Sequence, residues 1–366
     1  MTAAPTQDGT LALAAPESGA HHSRVALGDA KSHLQKSALK LLGYVVAAYV
    51  VLRLVPTFEQ ALHSLEHVSW TWLVGAIALE VISEIGFVIC WRGIVDPERA
   101  LERDGRGRRM DQRVAWAQLG GGLLVPGGSL GGMGVGAWLL HRFDIPVKRI
   151  AERQLTLTFL NTAISALALI VFGVGLAAHI FPGRHLLELT LLPATVATAG
   201  IAAALSIASR ASGYAARVQP KHPKLATSLT TLAHAVKGTR NVFQRSDWKS
   251  ILGAITYLGF EVLVLWSAFL AVHADPLPGV AVVTMAYVIG ALGGSLPLPA
   301  SIGTIGGIAG MLVVYGIDRS PAVAAVLLHQ AIALLVPVTG GTIAYVVIRR
   351  ELGPLRATPS AGKEDQ

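Results

Sequence analysis

Cysteine is almost missing from this 366-residue chain: Cys90 is the only one. A lone thiol can build neither an intrachain disulfide, nor a thiolate metal cluster, nor a redox pair. Charge is scarce as well, at 14% Asp, Glu, Lys and Arg, against roughly a quarter in soluble domains. The twelve histidines are scattered, with His21 and His22 near the amino terminus, and no His-Glu-x-x-His or paired-cysteine spacing suggests a metal. Gly127-Gly-Ser-Leu-Gly-Gly132 imitates a phosphate-cradling loop but lacks the following Lys and lies between apolar runs, which excludes a P-loop. No catalytic constellation is visible, so neither enzymatic activity, a catalytic residue, a metal nor a cofactor is expected.

What the chain has in abundance is hydrocarbon. Apolar residues make up 52% of it and mean hydropathy is +0.55. Runs long enough to cross about 30 Å of lipid are Trp70–Trp91, Leu155–Phe181, Leu189–Ser209, Ile251–Ala274 and Pro321–Ile348, with a shorter candidate at Leu41–Val55. The expected fold class is therefore all-α, a polytopic membrane helical bundle. Residues 1–35 and 351–366 read as disordered cytoplasmic tails around a transmembrane domain at 36–350. Its halves, 36–209 and 250–350, are joined by a basic linker, 210–249. There Leu225, Leu229, Leu232, Val236 and Phe243 recur at helical spacing, the pattern of an amphipathic helix on the membrane surface.

Two further apolar stretches are broken at their centres by proline and glycine: Val125-Pro126-Gly127-Gly128-Ser129-Leu130-Gly131 and Pro297-Leu298-Pro299-Ala300-Ser301-Ile302-Gly303. Loops rich in Lys and Arg stay cytoplasmic. Arg92, Arg99, Arg103, Arg106, Arg108, Arg109 and Arg113 precede the first break, and Arg142, Lys148, Arg149 and Arg153 follow it. Both ends of that stretch then face the cytoplasm, as in a re-entrant hairpin turning at Pro126. The second break has no basic residue between Asp275 and Gly279 and re-enters from the opposite side. Re-entrant segments from opposite faces make an inverted repeat, with its site near the midplane; the alternative, both stretches as full spans, also leaves both termini inside but exports the basic region Arg210–Lys249. Both termini come out cytoplasmic, in a cell (inner or plasma) membrane.

Candidate cavity residues follow from the two breaks and from polar groups inside the spans: Pro126, Gly127, Gly128, Gly131, Asn161, Glu261, Pro297, Pro299, Ser301, Gly303, His329 and Gln330. Carboxylates inside a membrane are costly and by default functional. Glu80 and Glu84, four apart on one helix face, form an intramembrane charge pair or relay, or else Glu84 is paired structurally with a basic residue such as Arg92. Asn161, His329 and Gln330 have a second reading as interhelical hydrogen-bond glue, worth about 1 kcal/mol.

The pattern Pro-x-Pro-Ala-Ser-Ile-Gly at Pro297–Gly303, followed by Gly316, Pro337 and Gly340, and the upstream Val125–Gly131 motif resemble the transmembrane region of lysylphosphatidylglycerol synthases and related flippase-like membrane proteins. The resemblance runs from about Leu41 to Arg350. It implies a flippase or transporter of a lipid or lipid-linked headgroup, with anionic phospholipid or a lipid-linked saccharide as the membrane-lipid partner and no nucleic acid. The alternative is a nonenzymatic accessory subunit for an envelope-biosynthesis enzyme, such as a glycosyltransferase. Departures are Gly306, where the family carries Glu, Gln330, where it carries Arg, and an uncharged Gly132–Trp138. No aminoacyl-transferase domain follows Arg350, so synthase activity is not expected.

Overall fold

In the computed structural model the described residues are 68–99, 101, 109–124, 129–143, 145–183, 187–218, 223–245, 247–292 and 302–352. Both breaks, with Pro126, Gly127, Gly128, Pro297, Pro299 and Ser301, lie outside them, as does the candidate span Leu41–Val55. Ten helices are described: α1 (Trp70–Val95), α2 (Met110–Leu124), α3 (Ser129–His141), α4 (Val147–Ala177), α5 (Leu187–Val218), α6 (Pro223–Gln244), α7 (Trp248–Ala271), α8 (Val280–Ala291), α9 (Ile302–Val314) and α10 (Arg319–Leu352). Five of them, α1, α4, α5, α7 and α10, are long and apolar enough to cross a membrane.

The polarity of α1 is that of a helix with lipid as its solvent. Val74, Ile77, Val81, Ile85 and Ile89 recur three or four residues apart and are all exposed, whereas Glu80, Ser83 and Glu84 are buried. Apolar groups out and carboxyls in is the reverse of a water-soluble helix, whose apolar stripe faces the core.

Two helices meet at their glycines. A side chain added at Gly86 of α1 would stand 2.8 Å from the Gly253 carbonyl of α7, and one at Gly253 would stand 2.7 Å from the Cys90 amide. In lipid such backbone-to-backbone approach is a main source of helix association. The pair is antiparallel, because Ser69 donates to the Ala271 carbonyl at one end (3.0 Å) and Gly93 abuts Ser250 at the other.

α2 and α3 form an antiparallel hairpin, in which Gly121 faces Val135 and Gly132 faces Gly122. α8 and α9 form a second, with Gly290 against Gly307 and Ile308. At about 1.5 Å per residue, helices of 12 to 15 residues reach about 18–23 Å, short of a bilayer's hydrocarbon. The ends of the first hairpin lie beside the carboxyl ends of α1 and α10: Arg92 pairs with Asp111 and Arg113 with Glu351. Those of the second lie at the far end of the bundle. There Trp266 Nε1 donates to Pro278 O (3.0 Å) and Tyr315 Oη to Leu189 O (2.7 Å). The order helix, hairpin, helix thus occurs twice, as α1, α2–α3, α4 and as α7, α8–α9, α10, with opposite direction.

Close packing at these glycines gives a sharp contrast. A Cβ at Gly307 would fall 2.2 Å from the Gly290 carbonyl, whereas neighbouring Gly306 has open space around it. Gly307→Ala is expected to destabilise the fold by about 1–3 kcal/mol, and Gly306→Ala to leave it unchanged or stabilise it by up to about 1 kcal/mol. Thermal unfolding of both variants in the same detergent checks this.

Two of the sequence expectations shift. Helix α5 continues to Val218, so the regular span extends nine residues past Ser209 into the basic linker. α6 does form a helix after Pro223, but Ala235, Val236 and Thr239 are buried, with Thr239 Oγ1 donating to Thr156 O of α4 at 3.2 Å. That part of its face is spent on the bundle rather than laid on lipid. Lys237, Arg240 and Arg245 remain exposed.

Candidate functional site: a buried acid and histidine cluster

Glu80 and Glu84 stand near the middle of the 26-residue α1, and Glu261 stands near the middle of the 24-residue α7. The glycine crossing of these two helices lies two and six residues from the α1 glutamates and eight from Glu261, so it sets their carboxyls against each other. Ser83 shows the closeness: its hydroxyl donates to the Tyr257 carbonyl at 2.8 Å and lies 3.5 Å from Glu261 Oε2.

The fourth member comes from α10. His329 Nε2 lies 3.4 Å from Glu261 Oε1, yet without the alignment of a hydrogen bond, and Nε2 has no other partner. Its Nδ1 meets the Gln330 amide at 3.5 Å. Tyr287 of α8 packs edge-on against the imidazole, ring centres 5.7 Å apart, and Phe87 does the same to Tyr257 at 5.4 Å. Glu80 and Tyr287 also lie near the Glu261 carboxyl. Glu80, Glu84 and His329 are 1%, 3% and 0% exposed, while Glu80 Oε2 and Glu84 Oε2 have no hydrogen-bond partner.

Of the sequence candidates, then, Glu80, Glu84, Glu261, His329 and Gln330 come together. Structural pairing of Glu84 with Arg92 does not occur, because Arg92 pairs with Asp111. Asn161 stands on α4, with its Oδ1 buried and unpartnered. Gly131 lies in α3, and Gly303 is buried in α9. Gly306, in place of the family's Glu, is exposed with nothing near it. The late Pro337 and Gly340 of the motif are packing positions: Gly120 of α2 abuts the Pro337 carbonyl, and Gly340 abuts the Trp116 ring.

Sequence reasoning missed Ser83, Tyr257 and Tyr287. Helical spacing held the clue for two of them, since Ser83 lies between the two glutamates of α1 and Tyr257 one turn before Glu261. Nothing along the chain marks Tyr287.

A second polar set stands nearer the arginine-rich end. Trp91 Nε1 donates to Gln118 Oε1 (2.8 Å), and the Gln118 and Gln154 amides bond to each other (2.9 and 2.7 Å). These groups satisfy one another and tie α1, α2 and α4. A crevice of about 250 Å³ between α4, α5 and α6, lined by Phe159, Ala204, Ile207 and Val236 among others, is apolar and apart from the acids. Among the described residues no His, Cys, Asp or Glu group has an arrangement that could hold a metal ion.

No curated protein matches the chain. The family model described as the lysylphosphatidylglycerol synthase TM region does, over residues 40–341. With that span, its long apolar helices and its all-helical described fold, this integral membrane protein belongs to the lysylphosphatidylglycerol synthase TM region family.

Proposed function

We propose that the protein moves a membrane lipid, or a lipid-linked headgroup, between the two leaflets of a cell membrane. The observation that carries this reading is the placement of Glu80, Glu84, Glu261 and His329 at mid-height in the bundle, between hairpins that start from opposite ends. Three carboxyls at that depth cost more free energy than the about 1 kcal/mol an interhelical hydrogen bond returns, so packing alone does not account for them. It does offer a waypoint to a headgroup that must leave water on one side and regain it on the other.

The end carrying Arg92, Arg113 and Arg153 is assigned to the cytoplasm by the positive-inside bias. The hairpins α2–α3 and α8–α9 then re-enter from the cytoplasmic and the outer face respectively. Their second helices begin at Ser129 and Ile302, and the amino-terminal dipole ends of such helices favour a phosphate. The glutamates accept hydrogen bonds from the hydroxyl or amine groups of the same headgroup. No covalent chemistry is assigned to the protein.

The test is leaflet exchange in phosphatidylethanolamine–phosphatidylglycerol vesicles carrying a trace of NBD-labelled phosphatidylglycerol, with dithionite added outside. Protein-free vesicles keep their inner-leaflet label. Vesicles with the protein are expected to lose it as well. Should both retain it, transport of this lipid fails, and co-purification of an envelope enzyme would favour the accessory-subunit reading.

A further inference from the structure

The cluster holds more acid than its neighbours can neutralise. Three carboxyls converge on one imidazole, and no Lys or Arg forms an ion pair with any of them among the described residues. Three ionised glutamates at this depth would each cost several kcal/mol. Glu80 Oε2 and Glu84 Oε2 are buried without a hydrogen-bond partner. Something that donates must satisfy these two oxygens, and the described acids have no metal-holding arrangement.

The helices packed on the cluster supply no competing charge among their described residues. α1 supplies Glu80 and Glu84, α7 supplies Glu261 and Tyr257, α8 supplies Tyr287, and α10 supplies His329 and the neutral Gln330. From α2 and α4 the polar groups nearest in the hydrogen-bond network are Gln118 and Gln154, which bond to each other and to Trp91. Among the described residues the titratable set is acidic and without a fixed cation.

We propose that Glu80, Glu84, Glu261 and His329 form a proton-binding site that couples lipid movement to a proton crossing the membrane. This rests on the transport reading above. A proton taken from water on one side satisfies the glutamate oxygens while the site is empty. A headgroup bringing its own hydroxyl or amine donors displaces it, and the proton leaves to water on the other side. One proton enters for each that departs, and no other bond is made or broken. Competition of proton and headgroup for the same oxygens is what links the two flows.

Two measurements on the full chain in phosphatidylethanolamine–phosphatidylglycerol vesicles test this. The first is infrared difference spectroscopy between acid and alkaline buffer. A protonated-carboxyl band is expected in the wild type, weaker in Glu80→Gln, Glu84→Gln and Glu261→Gln, and weakest in the triple variant, where the chain's other carboxyls alone contribute. All variants are compared as monodisperse protein, and Glu261→Asp should keep the band. An identical band in wild type and triple variant overturns the proton site without touching the transport reading. The second is NBD-phosphatidylglycerol exchange with and without an imposed pH gradient. The rate is expected to change several-fold with the gradient and not at all with a sodium gradient, and in Glu84→Gln the ratio of the two rates should fall to one. Exchange indifferent to pH overturns coupling and leaves transport standing. A response to sodium instead overturns the proton as the ligand. No exchange under any condition fails the transport reading, and the infrared result then decides the proton site by itself.

Discussion

Glu261→Gln slows the exchange of labelled phosphatidylglycerol between leaflets by about tenfold or more, the equivalent of about 1.4 kcal/mol or more of lost interaction. Glu261 is the hub of the cluster: Ser83 and His329 approach its two oxygens from α1 and α10. Gln keeps the shape but surrenders the charge, and hydrogen bonds to charged groups contribute about 1.5–3 kcal/mol each. Glu261→Leu combined with His329→Leu separates function from folding. Replacing both members of a buried pair by apolar side chains is often neutral or stabilising, whereas removing one alone is costly, so this double variant should unfold no earlier than the wild type while being equally inactive. Activity retained in both variants would remove Glu261 from the path.

Gly253→Val has the largest expected effect on the fold itself. At Gly253 an added Cβ already meets the Cys90 amide and the Gly86 carbonyl at 2.7 Å, and both are backbone atoms that no rotamer change can move. Valine's two methyls force α1 and α7 apart, costing about 3 kcal/mol or more. The same displacement pulls Glu80 and Ser83 away from Glu261, so exchange is lost along with stability. Gly259→Ala, on the same helix but with nothing within 4 Å of its Cβ, is the matched control and should behave as wild type. Unfolding midpoints of the two variants in one detergent compare them directly; equal midpoints would mean that the crossing is looser than these distances state.

The membrane character and the five long spans could be read from the chain because lipid imposes one dominant pattern, a long uninterrupted apolar run. The re-entrant reading of the first break came from charge, arginines on both of its sides; the described helices α2 and α3 pack antiparallel through Gly121 against Val135 and Gly132 against Gly122. The turns themselves, at Pro126 and Pro299, fall outside the described residues. Glu80, Glu84, Glu261 and His329 were individually visible as charges or imidazole inside apolar helices. Their meeting was not, because it depends on the approach of Gly86 to Gly253. A small residue at one position of a helix says nothing about which other helix will use it. The linker was half legible. Its helical period predicted α6, but periodicity does not tell an apolar face turned to lipid from one turned to α4, where Thr239 and Gly238 are applied to Thr156.

Two hairpins that enter from opposite faces and flank one acidic site make up the central claim, and cysteine accessibility tests it most directly. Cys90 is buried and should be silent toward a membrane-impermeant maleimide. Single cysteines at the exposed positions Arg109 and His141, at the two ends of the first hairpin, and at Asp275 and Asp318, at the two ends of the second, are labelled in intact spheroplasts and after lysis. The account predicts that positions 275 and 318 react in intact spheroplasts, and 109 and 141 only after lysis. Reaction of 109 and 141 from opposite sides, or of 275 and 318 from opposite sides, would make that hairpin a full crossing and contradict the account.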